Sequence, residues 1–260
     1  MSVLGSLRRI ALSAALSVFA TVAHADDPTE PSAKIEPLRL PGIDAHDPRI
    51  RIDPNAAPWR AVGKLQASAG SFYMSCTGTL IGPSTVLTAA HCLYSARTRN
   101  YLPASSFHFL VGYDGDQPKG HALGLRFVVG PGFDPTNPMK TPGSDWALLT
   151  LDTALGTVDR RLTLLDRPPD IGATIMIGGY SQDRRYVLTA DSACRIIGWG
   201  TDSTGQRLLH HNCTGTHGVS GAPVLVQDHG IWRVAGVDVA AEIGVANGYA
   251  VMLDEVRTHL

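Results

Sequence analysis

The chain is short of charge. Asp, Glu, Lys and Arg make up 17% of its 260 residues and nearly cancel, leaving a net charge of −1. A balance that even gives no electrostatic reason to expect nucleic acid or an anionic membrane as a partner. Cysteine is scarce too. The four present, Cys76, Cys92, Cys194 and Cys213, include none of the close-spaced pairs that hold zinc. Even with His210 and His211 nearby they make a poor metal set, so neither metal nor cofactor is expected. No stretch after the first 25 residues approaches the roughly 20 apolar residues that span a bilayer, and no internal repeat is visible. Apolar residues, by contrast, reach 44%, with 27 glycines and 17 prolines. A sizeable core broken by many turns is the composition of an ordered all-β chain.

The start of the chain differs from the rest. Arg8-Arg9 precedes an apolar run from Ile10 to Ala20, and Ala23-His24-Ala25 is a small-x-small triplet. Residues 1–25 read as a secretory signal peptide cut after Ala25. The mature chain is then secreted or periplasmic, where disulfides persist, with no membrane association after cleavage. Residues 26–51 carry five prolines, six acids and four bases with little apolar periodicity. They read either as a propeptide or as a loosely ordered N-terminal arm kept in the mature protein, with Arg49 and Arg51 as candidate processing sites.

From residue 52 the pattern is of short strands between Gly, Pro and Ser turns. Residues 60–66, 71–79, 84–88, 106–111, 121–129 and 146–151 form one set, within 52–155. A second set, within 156–260, comprises 173–176, 186–189, 194–198, 208–212, 223–227, 232–240 and 249–253. Residues 253–260 are expected to form a short terminal helix. The four cysteines allow three pairings.

Three segments carry chemistry. Gly218-Val219-Ser220-Gly221-Ala222-Pro223 places a serine between glycines and ahead of a proline, a turn that can expose a hydroxyl and leave N–H groups unpaired beside it. Serine needs a base, and the base needs an orienting acid. Thr88-Ala89-Ala90-His91-Cys92 offers the base just past an apolar strand. Ser144-Asp145-Trp146-Ala147-Leu148-Leu149 offers the acid where another apolar run begins. Their order along the chain is His, Asp, Ser.

These three segments resemble the signatures of chymotrypsin-like (trypsin-fold) serine peptidases. Within that group the opening Pro58-Trp59-Arg60-Ala61-Val62-Gly63 and the approach Thr214-Gly215-Thr216-His217 are similar to the bacterial secreted branch that includes V8-type glutamyl endopeptidases. The resemblance covers about residues 52–260. It implies two six-stranded antiparallel β-barrels with the active site in the cleft between them, disulfides Cys76–Cys92 and Cys194–Cys213, and a monomer cutting polypeptide substrates through an acyl-enzyme. His91, Asp145 and Ser220 would be the triad, and the N–H groups of Gly218 and Ser220 the oxyanion donors.

The same resemblance marks Thr214, His217 and Asp238 as substrate-binding candidates. Thr214, six residues before the serine, would floor the specificity pocket; it is no acid, so a trypsin-type basic preference is not supported there. Val219 replaces the acid that pairs with the new N-terminus in trypsins. Asp238 stands where the V8-type branch has a histidine and would repel glutamate if it faces the pocket; a hydrogen-bonded strand residue is the alternative. His217 is either a substrate contact or a solvated loop residue. Two other functions remain: an esterase of the α/β-hydrolase kind, for which the roughly forty residues after Ser220 are too few, and a secreted binding protein on an inactive peptidase scaffold, whose usual mark is loss of a triad residue.

Overall fold

The computed structural model describes residues 40–69 and 72–260, so the signal-peptide segment 1–25 and residues 26–39 of the arm lie outside the described residues. The strands, in chain order, are β1 (Ile50–Arg51), β2 (Val62–Ala69), β3 (Phe72–Leu80), β4 (Thr85–Thr88), β5 (Tyr94–Ser95), β6 (Asn100–Tyr101), β7 (Phe107–Val111), β8 (Gly120–Val129), β9 (Ala147–Leu151), β10 (Thr163–Leu164), β11 (Thr174–Gly179), β12 (Thr189–Thr201), β13 (Arg207–His211), β14 (Pro223–Asp228), β15 (Ile231–Ala241) and β16 (Gly248–Met252). One short helix, α1 (Asp254–Arg257), follows. No helix among the described residues is long and apolar enough to cross a membrane.

Two closed six-stranded antiparallel barrels result, as the resemblance implies. The first runs β2-β3-β4-β9-β8-β7 and closes where β7 returns to β2. Leu65, Leu87, Phe107, Phe109 and Leu149 fill it and are almost wholly shielded from solvent. The second runs β12-β11-β14-β15-β16-β13 and closes where β13 pairs with β12. Ile175, Ile177, Leu209, Val224 and Ala250 fill that one. Disulfides Cys76–Cys92 and Cys194–Cys213 fasten one chain turn in each barrel. Closing loops this short stabilises by roughly 3 kcal/mol each in the chain-entropy model.

The sequence pattern misjudges one region. The two strands expected at 186–189 and 194–198 are a single long strand, β12, and residues before Thr189 form a loop. The reason is Lys64, a cation buried inside the first barrel's edge. Its ammonium donates to the Arg185 carbonyl at 2.9 Å and lies 5.0 Å from the Tyr113 ring and 5.7 Å from the Tyr186 ring. The backbone carbonyl that a strand would use in a ladder is turned to this charge instead.

Residues 40–51 of the arm are not loose. β1 pairs with the start of β12, and Pro41 bridges Ile243. Arg49 is buried, donating to both carboxylate oxygens of Asp47 (2.9 and 2.8 Å), to the carboxylate of Asp183 (2.7 and 3.1 Å) and to the Ser181 hydroxyl at 3.0 Å. Burial by itself would lower the guanidinium's pKa; the two carboxylates outweigh it and raise it. An isolated stretch rich in proline and charge shows no apolar pattern because its anchors are ion pairs and a few backbone bonds, most of them to the second barrel.

Breaking a buried ion pair by removing one partner is costly, and here both acids keep partial solvent access. Arg49→Ala is expected to destabilise by about 2–3 kcal/mol, lowering Tm by roughly 5–10 °C in differential scanning calorimetry. A wild-type Tm in that variant would show that the arm adds nothing to the fold.

Candidate active site

Antiparallel register brings the histidine and the aspartate together. Thr88 at the end of β4 pairs with Ala147 at the start of β9, so the residues after one and before the other leave the barrel at the same rim. After Thr88 the chain enters a 3-10 turn, Ala90–Leu93, pinned by the Cys92 disulfide and by wholly buried Leu93. Before Ala147 a second 3-10 turn, Pro142–Ser144, delivers Asp145, and the fully buried Trp146 locks it. Asp145 then meets His91 twice: its Oδ1 accepts the His91 backbone N–H at 2.8 Å and its Oδ2 lies 2.6 Å from Nδ1. This places the proton on Nδ1 and leaves the Nε2 lone pair facing the cleft. Burial alone would lower the imidazole's pKa; the charge and hydrogen bond of Asp145, joined by the charge of Asp238, outweigh it and raise it above 6.5.

The serine comes from the other barrel. Val219 N–H donates to the Thr216 carbonyl at 3.0 Å and Ala222 N–H to the Val219 carbonyl at 2.8 Å, winding the loop tightly about Ser220. Both flanking glycines have positive φ, +94° at Gly218 and +84° at Gly221. A methyl at Gly218 would sit 2.3 Å from the Tyr180 carbonyl oxygen, and one at Gly221 would sit 2.2 Å from that of Thr77. Only glycine satisfies both the angle and the space.

Thr77, on β3 of the first barrel, fastens this loop. Its N–H donates to the Ser220 carbonyl at 2.9 Å and its hydroxyl to the Gly218 carbonyl at 2.8 Å, while the hydroxyl accepts the Tyr180 N–H at 3.0 Å. The carbonyls of His217 and Val219, which share peptide units with the Gly218 and Ser220 N–H groups, accept from Gln182 and Ala222 N–H, and those two N–H groups donate to no partner among the described residues. Nothing in the sequence flags Thr77, because its role depends on a contact 141 residues away.

His91, Asp145 and Ser220 all line one cleft of about 270 Å³, together with His217, Thr216, Gly215 and Asp238. His217 is exposed on its rim, its carbonyl accepting the Gln182 N–H at 2.5 Å. Thr214 is buried one residue behind the wall, its N–H donating to Asp191 Oδ2 at 2.9 Å, and does not line the cleft. Asp238 does line it. A bulge in the β15–β16 pairing between Asp238 and Ala240 interrupts the strand's alternation, so that Asp238, Val239 and Ala240 all border the cleft.

Besides Thr77, two more contributors are unmarked in the sequence. Pro41 of the arm lines the cleft, held there as Gly215 N–H donates to the Gly42 carbonyl at 3.0 Å and Gly42 N–H to the Glu242 carbonyl at 2.7 Å. His211, at the end of β13, is buried with Nε2 3.0 Å from Asp238 Oδ1. The sequence marks the His210-His211 pair only as part of a poor metal set.

Known proteins share this architecture. The chain is 28% identical over 151 residues to a glutamyl endopeptidase of Bacillus licheniformis, covering 57% of this chain and 45% of that protein. It is 30% identical over 151 residues to chymotrypsin-like elastase family member 1 of Macaca fascicularis, covering 58% and 49%. The match thus spans about half the length of these curated relatives. Among solved structures, a Glu endopeptidase in complex with MPD superposes with a TM-score of 0.67 at 23% identity, over 83% of this chain and 95% of that one. The protease Anisep of Arthrobacter nicotinovorans superposes with a TM-score of 0.59 at 18% identity, over 76% and 93%. The family model described as Trypsin matches residues 50–253. Two closed barrels, with a histidine and aspartate at the rim of one and a glycine-flanked serine from the other, place this chain in the trypsin family.

Proposed function

We propose that the protein is an exported serine endopeptidase that hydrolyses peptide bonds through an acyl-enzyme formed on Ser220. The observation that carries this reading is the convergence, on one cleft, of Ser220 from one barrel with the His91–Asp145 pair from the other. Ser220 Oγ attacks the scissile carbonyl as its proton passes to His91 Nε2. The resulting imidazolium is stabilised by Asp145 through Nδ1–H. The oxyanion is bound by the N–H groups of Gly218 and Ser220, whose peptide units are held by the bonds from Gln182 and Ala222 N–H to the His217 and Val219 carbonyls. His91 then gives the proton to the leaving amine, and water repeats the sequence in reverse on the ester. No step requires a cofactor. Export is supported by the two disulfides, which persist outside the reducing cytosol, and by the signal-peptide pattern of residues 1–25.

Residues 40–51 belong to the working enzyme on this reading. Arg49 is buried in an ion cluster, so cleavage after it would have to unfold the arm, and Pro41 forms part of the cleft. N-terminal sequencing of the secreted protein is expected to find the mature start at or before Leu40. A start at Ile50 or Ile52 would show that the arm is a discarded propeptide.

A fluorophosphonate probe should label the wild type at Ser220. Ser220→Ala should abolish labelling and nearly all hydrolysis, with stability changed by less than about 1 kcal/mol. Wild-type turnover in the purified variant would disprove the nucleophile assignment.

The base must be neutral to accept the serine proton. Because its pKa is raised, kcat/KM should fall as pH drops through a midpoint above the ordinary histidine value of 6.5. Asp238→Asn removes one of the charges holding that pKa up, so its midpoint should lie below that of the wild type. A pH–rate profile flat from about pH 5 to 9 would argue against a histidine base.

A further inference from the structure

Asp238 occupies an unusual place for an acid. Its carbonyl accepts the Gly221 N–H at 2.7 Å and its N–H donates to the Ala222 carbonyl at 2.9 Å. It is therefore bound in register beside the serine loop, and its side chain, 12% exposed, opens onto the same cleft.

His211 fixes that side chain. Its ring is buried and its two nitrogens have different partners. Nδ1 accepts the Cys213 N–H at 3.2 Å, and Nε2 lies 3.0 Å from Asp238 Oδ1. A nitrogen that accepts carries a lone pair, so the ring's proton sits on Nε2 and points at the carboxylate. Cys213 is itself fixed by its disulfide to Cys194. The imidazole thus orients Asp238 as a neutral donor. A protonated ring would lose the Cys213 bond, so the carboxylate's charge is not cancelled by this partner.

The other carboxylate oxygen, Oδ2, has no donor among the described residues. On the same wall Thr216 is 5% exposed, and its hydroxyl oxygen is buried without a hydrogen-bond partner. Among the described residues, no lysine or arginine lines the cleft. A poorly solvated carboxylate and an orphan hydroxyl together lack N–H donors, and leaving such groups unpaired is costly. The cleft's mouth is apolar, with Pro41, Pro138 and Met139, a surface suited to the alkyl stem of a long cationic side chain whose head lies deeper.

We propose that Asp238, oriented by His211, is the specificity-determining residue of this cleft, and that it selects lysine or arginine on the acyl side of the cut bond. The proposal rests on the serine-peptidase reading and deepens it. The recognition is by a different residue from the one the sequence position suggests: Thr214 supplies no charge and stands behind the wall, while β15 delivers the carboxylate from the side. An acidic substrate side chain would meet the charge of Asp238 in a partly desolvated site and be repelled.

The test is a set of internally quenched peptides that differ only at the residue before the cut, run on the mature enzyme after fluorophosphonate titration of active serine. Arginine and lysine peptides are expected to exceed alanine and glutamate peptides in kcat/KM. In Asp238→Asn the ratio of arginine to alanine peptides should fall at least about thirtyfold, the effect of removing one partner of a buried charge pair. His211→Phe should raise KM for the arginine peptide about fivefold, the worth of one hydrogen bond, with less effect on kcat. His211→Gln, which retains an N–H donor, should restore most of that loss. A wild type that labels with the probe yet shows no advantage for basic residues would overturn the specificity proposal and leave the peptidase reading standing. So would an Asp238→Asn profile identical to wild type. Failure of the wild type to label would remove both. An unaltered KM in His211→Phe would overturn the positioning role of His211.

Discussion

The cleft depends on one buried threonine. Thr77 belongs to the first barrel, but its N–H and hydroxyl hold the carbonyls of Ser220 and Gly218 in the second, and its own carbonyl accepts the Thr88 hydroxyl at 2.7 Å. Thr88 is the last residue of the strand that leads to His91. The side chain and backbone of one residue therefore connect the serine loop to the histidine's strand. These bonds are shielded from solvent, so each is short of competing water and its loss would strand a polar group. The glycine after Ser220 follows from the same contact, since the Thr77 carbonyl lies where a side chain at Gly221 would have to go.

Charge is the second constraint. The chain carries little of it, yet several ionisable groups are buried, each with a partner chosen by the fold. Arg49 stands between Asp47 and Asp183. Lys64 lies under tyrosine rings from both barrels. Asp145 holds His91, and His211 holds Asp238. The two imidazole–carboxylate pairs are built differently. In the first, Nδ1 faces the acid and Nε2 is left for chemistry. In the second, Nε2 faces the acid and Nδ1 is used up by the backbone, so that ring has no nitrogen to offer a substrate. The difference between a base and a support is thus a difference of tautomer, set by which nearby group takes the remaining lone pair.

The arm connects these two constraints. Its prolines and charges carry no apolar pattern, so nothing local marks it as part of the fold. It is nonetheless paired to β12, anchored through Arg49, and carried past Gly215 so that Pro41 borders the cleft. The loop it grips, Ser181 to Asp183, is the one whose Gln182 N–H holds the His217 carbonyl just before Gly218. Residues far apart in the chain thus steady the backbone that presents the Gly218 N–H.

Much was legible from residue order. Apolar segments between Gly and Pro turns marked thirteen strands, of which the structure joins two into β12, because burial on one face of a pleated strand imposes a period of two. The glycines around Ser220, and the histidine and aspartate at strand ends, marked the cleft, because turn geometry and acyl-transfer chemistry each permit few residue types. Partners set by distance were not legible. Whether Asp238 faced the cleft turned on a bulge in β15; whether it stayed a bare charge turned on a histidine 27 residues away. Tyr186 read as strand until Lys64 claimed the neighbouring carbonyl. The sequence by itself determined two sets of short strands and three segments of chemistry, since periodicity and turns are local properties of the chain, and their resemblance to a known family implied the two barrels. Only the tertiary structure decided which carbonyls Thr77 ties, which nitrogen of each histidine carries the proton, and that an acid from β15 rather than Thr214 charges the cleft, since those depend on atoms that meet only when the barrels close.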